Sequence, residues 1–213
     1  MNTIKSIIFD LGGVILNINY QLTSNSFKNL GGFEFDTLYS QAKQKEIFNL
    51  LETGEITPSF FRSELNKLMS LNISDEKFDS CWNAMLLDLP IKRLELIKSL
   101  NGSYNTFLLS NTNEIHINAF KQIINRKIGY SNFLSCFNKC YYSSEIGLRK
   151  PNLACFDFVL KQNNLIAEET LFIDDSIQHI VGAKKAGLNT YHIKKEDDLV
   201  ISFPDIIQSA HHL

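Results

Sequence analysis

A chain of 213 residues with 44% hydrophobic and 21% charged residues can bury a substantial core, which excludes a disordered or fibrous protein. A formal net charge of −2 and a pI of about 6.2 supply no basic field for nucleic acid or an anionic membrane, so neither is an expected partner. No stretch reaches the ~18 consecutive apolar residues of a membrane helix, no signal-peptide pattern opens the chain, and the four cysteines form no C-x-x-C pair; a reducing cytoplasm is the expected compartment.

Lys5 to Phe9 is an apolar run too short for a helix and closed by Asp10, Gly12 and Gly13, which predicts a buried strand followed by a tight turn. From about Tyr20 to Leu89 the pattern is helical (Leu38 to Leu51, Pro58 to Leu71, Asp75 to Leu87) with no convincing strand, and Phe48, Phe60, Phe61 and Trp82 are expected to fill the core of that bundle. Helical patterns then cover Ile91 to Leu100, Glu114 to Ile124, Leu153 to Gln162 and Ile177 to Ala186, the last stopped by Gly187. Short strands are predicted between them at Asn105 to Leu109, Thr170 to Ile173 and Asn189 to Ile193. Strands alternating with helices imply an α/β fold whose parallel sheet is covered on both faces. The expected organisation is a core of residues 1–17 and 90–213 interrupted by a helical insertion of residues 18–89. Cys136 and Cys140, with no histidine at metal spacing, are expected to be core or half-buried thiols rather than zinc ligands.

Ligands of open parallel sheets collect beyond the carboxyl ends of the strands, and four polar clusters are expected near such ends: Asp10, Ser110-Asn111, Lys150 and Asp174-Asp175. Singly, each has an ordinary reading as a turn residue, a helix cap or a solvated charge. The adjacent Asp174 and Asp175 are harder to dismiss, because two carboxylates at the end of an apolar strand repel each other and gain from a cation. If the four converge, Asp10 offers a carboxylate nucleophile and Ser110 a hydroxyl at a helix N-terminus suited to phosphate. Lys150 then offers a charge for the equatorial oxygens, with Pro151 fixing its backbone and starting the next helix. Asp10 and Asp175 make an oxygen-rich cation site that suits Mg²⁺. Such a set serves phosphoryl transfer by positioning and electrostatics.

Phe9-Asp10-Leu11-Gly12-Gly13-Val14, Leu109-Ser110-Asn111-Thr112, Lys150-Pro151 and Phe172-Ile173-Asp174-Asp175, in that order, resemble the four motifs of haloacid dehalogenase-like hydrolases over essentially the whole chain. The resemblance implies a Rossmann-like core with an inserted helical cap, and a small phosphorylated metabolite, such as a sugar phosphate, hydrolysed through an aspartyl-phosphate. It implies that Asp10, Lys150 and Ser110 are catalytic and that Leu11, Gly12, Ser110, Asn111 and Lys150 bind phosphate. It also implies that Asp10, the Gly12 carbonyl, Asp174 and Asp175 hold Mg²⁺. Thr53-Gly54-Glu55 resembles the cap loop that dips toward the site.

Position 12 departs from the common phosphatase pattern, Asp-x-Asp, in which the second Asp is the general acid and base; Gly12 leaves that role unassigned. A Gly-containing first motif resembles a subgroup that includes sugar-1-phosphate phosphatases. His116 is either a proton carrier or a surface or capping histidine, whereas His179, His192, His211 and His212 show no ligand spacing. Two other readings stay open: a metal-independent haloacid dehalogenase, and a catalytically weak binding or regulatory protein.

Overall fold

The computed structural model describes residues 3–39 and 46–210; His211 and His212, and the middle of the helix predicted over Leu38 to Leu51, lie outside the described residues. Five parallel strands, β1 (Ser6–Phe9), β2 (Asn105–Ser110), β3 (Lys139–Tyr142), β4 (Thr170–Asp174) and β5 (Asn189–His192), form one sheet in the order β3-β2-β1-β4-β5. The chain therefore reverses its direction of growth at β1, between β2 and β4, which is where an open α/β sheet opens a crevice.

Alternate residues of the central strands feed two separate cores, as the two-residue period of a strand requires. Ile7, Phe9, Leu108, Leu171 and Ile173 pack on one face, against Leu94, Ile117, Phe120, Phe203 and Ile206. Ile8, Phe107, Leu109 and Phe172 pack on the other, against Cys155, Phe156, Val159, Ile180 and Ala183. Burial on both faces explains why these strands read as unbroken apolar runs. Cys136 is buried and Cys140 half-buried, both as free thiols, in line with the sequence reading.

Several short or atypical elements lie outside the predicted pattern, among them one strand and two longer helices. β3 is a four-residue edge strand whose first half is open to solvent, so it carries no apolar run. Tyr20–Lys28 is a mostly polar helix started by the Asn19 side chain, which accepts from the Gln21 amide. Leu199–Ala210 carries Pro204 inside it, a residue that ordinarily marks a boundary.

Between β1 and the helix Ile91–Ser99 that precedes β2, the chain forms the helices Tyr20–Lys28, Phe35–Leu38, Glu46–Glu52, Pro58–Leu68 and Asp75–Trp82, then a 3₁₀ turn at Asn83–Met85. They share their own core, in which Trp82 contacts Phe35, Tyr39, Phe48 and Phe61. Phe60 corrects the sequence reading: it is 51% exposed, because its neighbour Phe61 takes the inward position of that helix turn. The segments entering and leaving this insertion run side by side, with Asn17 N–H donating to Asp88 O at 3.0 Å and Asn19 N–H to Met85 O at 2.9 Å.

Candidate active site

Strand register builds the site. Phe9 is level with Ile173, and the Asp10 amide donates to Ile173 O at 2.9 Å, so the residues that follow the paired segments, Asp10 and Asp174, emerge side by side at the carboxyl edge. Carboxylate oxygens of Asp10, Asp174 and Asp175 lie within 4.8 Å of one another. Gly13 permits that approach: its φ is +77°, and a Cβ there would sit 2.5 Å from Asp175 Oδ2.

Lys150 answers two of the three carboxylates. Its ammonium, 0% exposed, donates to Asp10 Oδ1 and to Asp174 Oδ2, both at 2.7 Å. Burial alone would lower its pKa, but the two carboxylates outweigh burial and raise it. Asp174 is drawn down to about 2 against its own burial by Lys150 and by His179, whose Nδ1 lies 3.0 Å from both its oxygens. Asp10 is raised, because desolvation and the Asp174 charge exceed the help of Lys150. Asp175, with no ammonium of its own, is pushed up to about 7 by burial and then by Asp10 and Asp174. Three carboxylates against one ammonium leave an excess of negative charge that a hard divalent cation would neutralise, and the donor set is all oxygen, as Mg²⁺ requires.

The second cluster is placed differently from the sequence reading. Ser110 ends β2 and lines the cavity, but the helix Glu114–Lys127 starts four residues later, with Asn113 as its cap, so Ser110 precedes the helix N-terminus rather than occupying it. The Asn111 side chain clamps the lysine loop, accepting from Lys150 N–H at 2.9 Å and donating to Lys150 O at 2.8 Å. Its amide group is thus committed to holding Lys150. Pro151 does not start the next helix either: Asn152 caps Leu153–Gln162, and its side chain accepts from Ala154 N–H.

His116 lines the cavity, but its ring is held as a strut. It is buried, stacked on Trp82 at 4.9 Å, and its Nε2 meets Trp82 O at 3.2 Å while Nδ1 meets the Asn113 amide at 3.2 Å. Burial lowers its pKa to about 4, away from the range a proton shuttle needs. Position 12 is filled by a neighbour: a Cβ on Gly12 would lie 3.1 Å from Ile18 Cδ1.

Three site residues escaped sequence reading. His179 touches Asp174 and lines the cavity, a contact that only the start of the helix Ile177–Lys185 just beyond β4 creates. Glu52, from the insertion, meets Arg149, next to Lys150, at 2.8 Å, and both line the cavity. Beside them Gly54, at φ +72°, lets the insertion rest on the core backbone, since a Cβ there would lie 2.5 Å from Ser144 O. Glu55 turns aside to accept from Thr53 Oγ1 at 2.6 Å. Glu52, Arg149 and His179, together with Asp10, Leu11, Gly12, Ser110, Asn111 and Asp175, line a cavity of about 100 Å³.

Residues 7–193 match the family model described as haloacid dehalogenase-like hydrolase. The chain is 32% identical over 188 residues to the D-ribitol-5-phosphate phosphatase of Bacteroides thetaiotaomicron, covering 88% of this chain and 91% of that one. It superposes with a TM-score of 0.82 on a HAD family enzyme of Bacteroides thetaiotaomicron crystallised with magnesium and inorganic phosphate, at 33% identity over 94% of this chain and 99% of that one. A protein from Porphyromonas gingivalis described as a predicted HAD-like family hydrolase superposes with a TM-score of 0.86 at 27% identity, covering 97% of this chain and 98% of that one.

Proposed function

The chain belongs to the haloacid dehalogenase-like hydrolases, and from that premise we propose that it is a Mg²⁺-dependent phosphatase of small polyol or sugar phosphates that works through an aspartyl-phosphate on Asp10. The observation that carries the reading is the convergence of Asp10, Asp174, Asp175 and Lys150 at one strand edge. The similarity to a D-ribitol-5-phosphate phosphatase over most of both chains supports the substrate class. Residues 18–89 are, in this reading, a cap over the site, and the protein works in the cytoplasm. No helix among the described residues is long and apolar enough to cross a membrane.

The reaction runs in two displacements. An Asp10 carboxylate oxygen attacks phosphorus while the bond to the leaving oxygen breaks; water then cleaves the acyl phosphate and restores the carboxylate. Lys150 holds Asp10 in place and sets its positive charge against the charge developing on the phosphoryl oxygens. Asn111 fixes the lysine backbone, and Ser110, with the backbone of Leu11 and Gly12, faces the phosphate. Asp10, Asp174, Asp175 and the Gly12 carbonyl are the groups assigned to Mg²⁺, which when bound neutralises the carboxylates and the phosphate charge.

Phosphate release from D-ribitol 5-phosphate, glucose 1-phosphate, glucose 6-phosphate and p-nitrophenyl phosphate tests the proposal. Release is expected with Mg²⁺, none in EDTA, and little with Ca²⁺, whose larger irregular shell misplaces the phosphate. Chloride release from a 2-haloacid in chelator, without phosphate release, would carry the dehalogenase reading instead.

Gly12 gives a second expectation. With no carboxylic acid there and His116 engaged elsewhere, the departing oxygen loses help of the ~10²–10⁴-fold kind that general acids supply. Glucose 1-phosphate, whose anomeric oxygen bears charge better, should therefore show a higher kcat/KM than glucose 6-phosphate. D-ribitol 5-phosphate, a primary alkyl ester, is disfavoured on this score, so binding of its polyol chain must supply the difference. Equal rates across aryl, anomeric and primary alkyl esters would mean that another group delivers the proton.

A further inference from the structure

We propose that Glu52 and Arg149 form a leaving-group subsite that selects a short uncharged polyhydroxylated chain and rejects substrates with a second anionic group. The inference rests on the phosphatase reading above. Arg149 immediately precedes Lys150, so the anchor of the phosphate end also positions the guanidinium, while Glu52 arrives from the insertion and meets Arg149 Nε at 2.8 Å. Both side chains are mostly buried at the cavity wall.

Charge decides what this wall accepts. Among the described residues Arg149 is the one lysine or arginine lining the cavity. With Glu52 against it, its charge is matched by a carboxylate instead of standing open to a second phosphate or carboxylate on the substrate. An ion pair still presents hydrogen-bonding groups of both kinds: guanidinium N–H groups donate to a hydroxyl oxygen, and the carboxylate accepts from a hydroxyl proton. A chain of neighbouring hydroxyls, each a donor and an acceptor, fits that alternation. Tyr20 adds a further hydroxyl at the cavity wall, while Ile18, Met85 and Leu86 supply apolar surface for carbon. A cavity of about 100 Å³ is small beside the ~300–1,000 Å³ of drug-sized sites, which favours a short chain.

The test measures kcat/KM for D-ribitol 5-phosphate, p-nitrophenyl phosphate and ribulose 1,5-bisphosphate in the parent, Arg149→Gln, Arg149→Lys and Glu52→Gln proteins, each checked for folding by thermal unfolding. A hydrogen bond to a charged group is worth about 10–100-fold in such a ratio. Arg149→Gln should lower the preference for the polyol over the aryl ester by that factor, and Arg149→Lys, which keeps charge but loses the planar fork, by less. Glu52→Gln, which unmasks the guanidinium, should raise the bisphosphate relative to D-ribitol 5-phosphate about tenfold. If Arg149→Gln depresses both monoesters equally and Glu52→Gln still rejects the bisphosphate, the pair is only a tether between insertion and core and the proposal falls. A parent protein that releases phosphate from none of the three compounds would overturn the phosphatase reading itself, and the subsite with it.

Discussion

Asp10→Asn is expected to lose more than ~10³-fold in turnover while the protein stays folded, the scale of loss that follows removal of covalent chemistry. The amide is nearly isosteric with the carboxylate, and its oxygen can still accept from Lys150 Nζ, which Asp10 Oδ1 meets at 2.7 Å. What it cannot do is attack phosphorus. Folding should change little because Asp10 is 7% exposed and its charge is opposed by burial and by Asp174, so neutralising it removes a repulsion as well as an attraction. Phosphate release and thermal unfolding of the purified variant check both halves of this result. Activity within tenfold of the parent would remove Asp10 from the role of nucleophile.

The sequence identifies Asp10, Lys150, Asp174 and Asp175 because each stands where a buried strand ends or a motif fixes it, and a strand buried on both faces announces itself as an apolar run. β3 does not, since an edge strand with one solvated half needs no such run. The limits at the site have the same kind of cause. Residue type gives His116 a titration range near neutrality, but only the packing of Trp82 on its ring shows that burial takes the proton away. Asn111 has the right identity to face phosphate, and its commitment to the Lys150 backbone depends on a contact across 39 positions. Glu52 and Arg149 meet across 97 positions, joining the helical segment after β1 to the loop that carries Lys150, and no local pattern encodes that. Local chemistry was legible; pairings made by the fold between distant segments were not.

Those pairings set the largest stability effect. Lys150→Met, close in volume to the lysine stem, should abolish turnover and destabilise the protein by about 3–5 kcal/mol at neutral pH, the cost of breaking a buried charge pair by removing one partner. Lys150 is fully buried, and its ammonium is the 2.7 Å partner of both Asp10 and Asp174. The sign of the pH dependence follows from the carboxylates. In the parent, Asp174 lies at about 2, below its ordinary value of 3.8, so its contribution is present above pH ~4 and is lost as pH falls toward 2. Without Lys150, the burial that already raises Asp10 loses its main opponent, and Asp174 keeps only His179 against burial, so both pKa values move up. The folded variant then binds more protons than its unfolded form, and its stability falls as pH rises from about 4 through those raised values. Thermal unfolding in chelator should therefore show a larger gap between parent and variant at pH 8 than at pH 5. Added Mg²⁺ should narrow the gap at pH 8, because a dication at the three carboxylates replaces part of the lost positive charge. An equal gap at both pH values would mean that the carboxylates do not depend on Lys150 for their charge, and the electrostatic account of the site would have to be abandoned.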